Sequence, residues 1–159
     1  LARHAKKTIL PIVLVAQSLG GQVISNYIWD TKEKNGIWEI DNRDYPEFEV
    51  KEEKFIKFEF LRYFLTTGCN IPLFVAGFEQ IKAITKPNPD FQWFNYYDED
   101  DVLGWPLQGL SDSYREIVED IAIDSGSELI NWNPFSHTGY WADDNFVTDL
   151  CQKINSLLD

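Results

Sequence analysis

The feature that most constrains this chain is a short, nearly continuous apolar run rich in β-branched residues, Thr8 to Ala16 (TILPIVLVA), which passes through Gln17-Ser18-Leu19-Gly20-Gly21 into QVISNYIWD. A run of that length and composition, with Pro11 opposing helix, reads as a strand buried on both faces of a parallel sheet. The segment after it places Val23, Ile24, Tyr27 and Ile28 at helical spacing, so it reads as a helix with one buried face. Strand, tight turn and helix in direct succession form half of a βαβ unit, and the rest of the chain has to complete it.

The remainder alternates in the same way. Leu61 to Thr67 (LRYFLTT) and Phe91 to Tyr97 (FQWFNYY) read as strands, and Glu128 to Trp132 (ELINW) as a last short one. Glu52 to Phe60 reads as a short helix, Asp112 to Asp124 as a helix capped by Ser111 or Asp112, and Asp143 to Leu158 as an amphipathic closing helix with Phe146, Leu150, Ile154 and Leu157 on one side. Thr31 to Lys54 is polar, acid-rich and broken by Asn35-Gly36 and Pro46, the composition of an exposed excursion. The expected architecture is a single α/β domain over residues 1–159: a mostly parallel sheet with helices on both faces. At 159 residues, 44% hydrophobic and 15% aromatic, the chain has ample material for one core.

Ala16-Gln17-Ser18-Leu19-Gly20 fits small-x-Ser-x-Gly, the pattern of a nucleophile elbow. A serine on such a turn takes a strained backbone conformation, so the residues two positions to either side must be small. The Leu19 N–H, at a helix N-terminus, is then a ready donor for an oxyanion. The plainer alternative is a serine that only caps the helix.

A serine nucleophile needs a base, and the chain holds two histidines. His4 precedes the first strand; His137 lies in the loop Asn133-Pro134-Phe135-Ser136-His137 before the last helix and is the one placed to serve. An acid is expected in the loop after a strand between Ser18 and His137. Asp98-Glu99-Asp100-Asp101 ends the strand FQWFNYY, and Asp100 is the expected partner of His137, with Asp98 and Asp101 as alternatives. The same cluster could be a solvated turn; it lacks the spacing of a calcium loop. Trp105, Trp132, Phe135, Tyr140 and Trp141 bracket acid and base, either as an apolar substrate pocket or simply as core.

These motifs, in this order, resemble the α/β-hydrolase superfamily, in its lipase- or esterase-like group, from the strand before AQSLGG to the C-terminal helix. TTGCNIPLF (Thr66–Phe74), YYDEDDVLGWPL (Tyr96–Leu107) and NPFSHTGYW (Asn133–Trp141) are similar to the corresponding segments of a group of bacterial serine-hydrolase-like proteins. The resemblance implies a carboxylic ester hydrolase in which Ser18, His137 and Asp100 form the triad and the Leu19 N–H one oxyanion donor. It also implies that earlier strands and the second donor precede Leu1. A chain without methionine is then expected to be the C-terminal portion of its domain. Gln17 departs from the pattern, standing where many lipase-like members have His.

A net charge of −12 and a pI near 4.5 oppose binding to nucleic acid or anionic lipid. The expected partner is a small ester, with no cofactor or metal; a homo-oligomer is compatible with the sequence. Cys69 and Cys151 form neither a disulfide framework nor a metal-ligand spacing, and Cys69 reads as a buried inert thiol. With no apolar run near the roughly 18 residues of a membrane span, a cytoplasmic protein is expected.

Overall fold

The structure, a computed structural model, describes residues 10–32, 50–125 and 136–158. Four strands, β1 (Ile12–Gln17), β2 (Leu61–Thr67), β3 (Gln92–Tyr97) and β4 (Val118–Ala122), form one sheet in the order β1-β2-β3-β4, and every pairing is parallel. Helices α1 (Leu19–Lys32), α2 (Val50–Ile56), α3 (Ile71–Val75), α4 (Asp112–Ile117), α5 (Ser136–Gly139) and α6 (Asp144–Ser156), with 3-10 turns at Gln108–Leu110 and Tyr140–Ala142, complete the described elements.

Side chains alternate across this sheet, and each face has its own core. On one face Leu14 and Ala16 of β1, Phe64 of β2, Trp93 of β3 and Val118 of β4 pack with Ile28 of α1, Ile71 of α3 and Tyr114 of α4. On the other, Val13, Val15, Leu65, Phe94, Tyr96 and Ile121 pack with Tyr140 and with Phe146 and Leu150 of α6. Helices therefore cover both faces, and the strands need to be apolar throughout, which is how they read in the sequence.

The expected strand at 61–67 forms over that range, and those expected at 8–16 and 91–97 form at 12–17 and 92–97. The helix expected at 143–158 forms at 144–156, where the Asp143 carboxylate caps it by accepting from the Phe146 N–H at 2.8 Å. The helix expected over Asp112–Asp124 needs correction. It starts where expected, with the Ser111 hydroxyl accepting from the Tyr114 N–H, but ends at Ile117. Val118 is extended, and residues 118–122 pair in parallel with β3, Val118 opposite Trp93 and Ala122 opposite Tyr97. The edge of β3 offers a hydrogen-bond ladder plus burial of Val118, and tertiary pairing outweighs a helical periodicity only a few residues long. The strand expected at Glu128–Trp132 lies outside the described residues, as does most of the Thr31–Lys54 excursion. Among the described residues no helix is long and apolar enough to cross a membrane.

Candidate functional site

Ser18 is the hinge between strand and helix. Its N–H extends the β1–β2 ladder by donating to the Thr67 carbonyl at 2.9 Å, while its own carbonyl accepts from the Gly21 N–H at 3.0 Å and opens α1. Between those two obligations its backbone takes φ +54°. For a residue with a side chain that conformation costs on the order of 1–2 kcal/mol. Phe58, in the turn between α2 and β2, shares φ +54°, so the angle by itself marks only a tight turn. What distinguishes Ser18 is its place at the C-terminal end of a parallel strand, at the N-terminus of a fourteen-residue helix.

The small residues around it have separate reasons. A Cβ on Gly20 would meet the Ala16 Cβ at 3.5 Å, an ordinary contact that leaves little room for a larger residue at 16. Gly21 is the tighter position: a Cβ there would lie 2.8 Å from Cys69 Sγ and 3.2 Å from Thr66 Cγ2. Glycine at 21 is what lets the first turn of α1 settle onto the end of β2. Cys69, thus covered, is fully buried, and burial pushes its thiol up to about 12. It is a packing residue and not a thiolate nucleophile.

His137, in α5, faces a carboxylate. Its Nδ1 lies 2.8 Å from Asp101 Oδ2, with the Asp101 side chain 1% exposed and the His137 side chain 13% exposed. The partner expected from sequence, Asp100, needs correction: it is exposed and enters the turn through its N–H, which donates to Asp98 Oδ1 at 2.8 Å. Asp98 is buried, but its other oxygen accepts the N–H and hydroxyl of Ser125, each at 2.8 Å. Of the three carboxylates, Asp101 alone meets His137. Two glycines make the space it occupies. Gly68, at φ +53°, would with a Cβ come within 3.0 Å of both Asp101 Oδ2 and His137 Cε1. A Cβ on Gly104 would lie 2.5 Å from the same oxygen.

Asp101 is fully partnered. Its Oδ1 accepts from the Leu103 N–H at 2.9 Å, and its Oδ2 accepts from the Tyr140 hydroxyl at 2.8 Å beside His137. The Tyr140 oxygen in turn accepts from the Asp98 N–H at 3.1 Å. Burial first, and then the neighbouring Asp101 charge, push the Tyr140 phenol well above its ordinary range, so it remains a donor to Asp101. The sequence alone puts Tyr140 only among aromatic neighbours. No spacing marks a tyrosine as the second donor to an acid thirty-nine residues away.

The loop carrying Asp101 is anchored from below. Asp120 in β4 accepts the Leu107 and Gln108 N–H groups at 2.8–2.9 Å and the Asn95 amide at 2.8 Å. Asn95 also donates to the Trp105 carbonyl at 3.1 Å and accepts from Thr66 Oγ1, which itself accepts the Trp93 indole N–H. These polar groups cross β2, β3 and β4 on one face and satisfy one another, so the acid loop rests on a rigid floor.

His4, Trp132 and Phe135 lie outside the described residues. Trp105 lines an open cleft of about 520 Å³ behind the acid loop, together with Asp101 and Gly104. A second cleft, of about 670 Å³, is on the flank between α1 and α3, between Trp29, Phe74 and Phe78, and none of Ser18, Asp101 and His137 lines it. No three His, Cys, Asp or Glu side chains among the described residues converge as a cation cage. Ser18 Oγ makes no hydrogen bond among the described residues.

Comparisons of the chain with protein-family models, with curated proteins and with solved structures gave no match. What stands on fold and geometry is an α/β protein with an all-parallel sheet among the described residues, a serine on a strand-to-helix turn, and a histidine in α5 paired with a buried aspartate in the loop after β3.

Proposed function

We propose that the protein is a serine hydrolase of carboxylic esters with an α/β-hydrolase-type fold. The observation that carries this reading is the His137–Asp101 pair, 2.8 Å apart and screened from water, in a chain whose Ser18 occupies a left-handed turn at the end of β1. A carboxylate can only accept, so Asp101 directs the imidazole proton to Nδ1 and leaves Nε2 with its lone pair, the state a general base requires. Asp101 would also stabilise the imidazolium formed on proton uptake.

In the reaction Ser18 Oγ attacks the ester carbonyl while His137 Nε2 takes its proton. The tetrahedral oxyanion is held by the Leu19 N–H, aided by the α1 dipole. Collapse expels the alcohol, protonated by His137, and leaves an acyl-Ser18 ester. Water, deprotonated by His137, then releases the acid and restores Ser18. The Ser18 proton leaves on the alcohol and a proton from water replaces it, so ester and water become acid and alcohol with no change of oxidation state.

A second reading, a catalytically silent domain of the same architecture used for binding or assembly, draws on the lack of a hydrogen bond from Ser18 Oγ among the described residues. Such bonds are often long until substrate is bound, which keeps the hydrolase reading ahead. Turnover of a short-chain p-nitrophenyl ester by the full-length protein separates the two. The expected result is a burst of nitrophenol followed by slower turnover, both absent in Ser18→Ala and His137→Ala. Equal hydrolysis by Ser18→Ala and the parent would sink the acyl-enzyme mechanism.

A further inference from the structure

The residue before the nucleophile has both halves of its carboxamide engaged by the histidine segment. Gln17 Nε2 donates to the His137 backbone carbonyl at 2.6 Å, and Gln17 Oε1 accepts from the Trp141 indole N–H at 2.7 Å. Gln17 is the last residue of β1 and is held in register opposite Thr67. Its base is therefore rigid, and the two groups it grips lie four residues apart, across the junction of α5 with the 3-10 turn Tyr140–Ala142.

From this geometry we infer that Gln17 is the positioning residue that fixes His137 relative to Ser18. The inference rests on the hydrolase reading for its catalytic consequence but not for its structural content. Asp101 holds the imidazole by Nδ1, which leaves the backbone of the histidine free to shift about that contact. Gln17 holds the backbone carbonyl of the same residue. Two fixed points, one on the ring and one on the main chain, determine where Nε2 is directed. Because the second point is carried by the neighbour of Ser18, base and nucleophile share one strand end as their reference.

The residue type matters. Only a side chain with a donor and an acceptor in one plane can serve a carbonyl and an indole N–H together. Glutamate keeps the acceptor for Trp141 but opposes the His137 carbonyl with a negative oxygen. Leucine, of similar volume, keeps neither bond.

The test compares the full-length parent protein with Gln17→Leu and Gln17→Glu by two measurements. The first is hydrogen exchange of the backbone amides over residues 137–142 and of the Trp141 indole N–H. The second is kcat and KM on a p-nitrophenyl ester. Faster exchange across the segment and loss of indole protection in Gln17→Leu, with the indole still protected in Gln17→Glu, are expected. A displacement of about 1 Å at a reacting group costs on the order of 100-fold, so kcat should fall by about that factor in both variants while KM stays within about twofold. If Gln17→Leu leaves exchange and indole protection as in the parent, the assignment is overturned. Should Gln17→Leu not fold, Gln17→Glu decides alone, and a kcat equal to that of the parent overturns it. If the parent does not turn over ester yet the exchange pattern changes as expected, the clamp stands and the hydrolase reading fails.

Discussion

Asp100 and Asp101 are neighbours of identical chemistry, and the choice between them as partner of His137 is made by space. Gly68 and Gly104 leave room on the inner side of the loop for Asp101, and the turn sends Asp100 outward. Nothing local in Asp98-Glu99-Asp100-Asp101 shows which side chain turns inward, because the glycines responsible are thirty-three residues upstream and three downstream of Asp101. Ser18 and His137 stand out in the sequence as candidates for the opposite reason. The former sits in a local pattern with strict steric demands, and the latter is one of only two histidines in the chain. The proposed mechanism predicts that Asp101→Asn lowers kcat on a short-chain ester by about 10³–10⁴-fold, the cost of losing histidine orientation and tautomer in a Ser-His-Asp triad. Asp100→Asn should remain within about twofold of the parent in the same assay, the effect of an exposed turn residue. Comparable losses in both would return the role to the cluster as a whole.

Among the elements, strands buried on both faces were the readable part, because a continuous apolar run has few other uses in a chain of this size. β4 was not readable, since Val118-Glu119-Asp120-Ile121 carries only two large apolar residues and follows directly on α4 without a turn. Its strand conformation comes from pairing with β3, a long-range contact. The same pairing brings Asp120 under the acid loop, where its carboxylate satisfies the N–H groups of Leu107 and Gln108 and the amide of Asn95. Removing a hydrogen-bonded charge that several donors share costs about 2–3 kcal/mol. Asp120→Ala should therefore lower the unfolding free energy by about that amount in urea titration. It should also raise amide exchange at residues 105–108, more than at β1. Unchanged exchange at those amides would show that the loop does not depend on this floor.

At the scale of the whole molecule, the two cores bury phenols and a thiol whose charged forms they cannot solvate. Burial pushes Cys69 and Tyr114 each up to about 12. Tyr96 and Tyr140 are raised further, by burial first and then by Asp149 and Asp101 respectively. A group whose folded pKa lies above its unfolded value contributes stability that is present below the unfolded pKa and is lost as pH rises toward the folded one. The loss therefore begins near the unfolded values, about pH 9 for the thiol and about pH 10 for the phenols. It steepens toward pH 12 by roughly 1.4 kcal/mol per pH unit for each group that is ionised only in the unfolded chain. Cooperative alkaline unfolding, with tyrosinate absorbance rising together with decay of the far-UV signal, is expected, and Tyr114→Phe should make the pH dependence shallower. Tyrosinate absorbance that rises smoothly while the far-UV signal keeps its native value would contradict it.

The central claim is that Ser18 is an activated nucleophile served by His137 and Asp101. Its most direct test is labelling of the full-length protein with a fluorophosphonate, located by peptide mass spectrometry, with Ser18→Ala, His137→Ala and Asp101→Asn compared. The predicted result is a single phosphonyl adduct on Ser18, absent in the first two variants and much slower to form in the third. A folded parent protein that takes up no label, or takes it up elsewhere than at Ser18, would contradict the account and leave the silent binding domain as the reading to pursue.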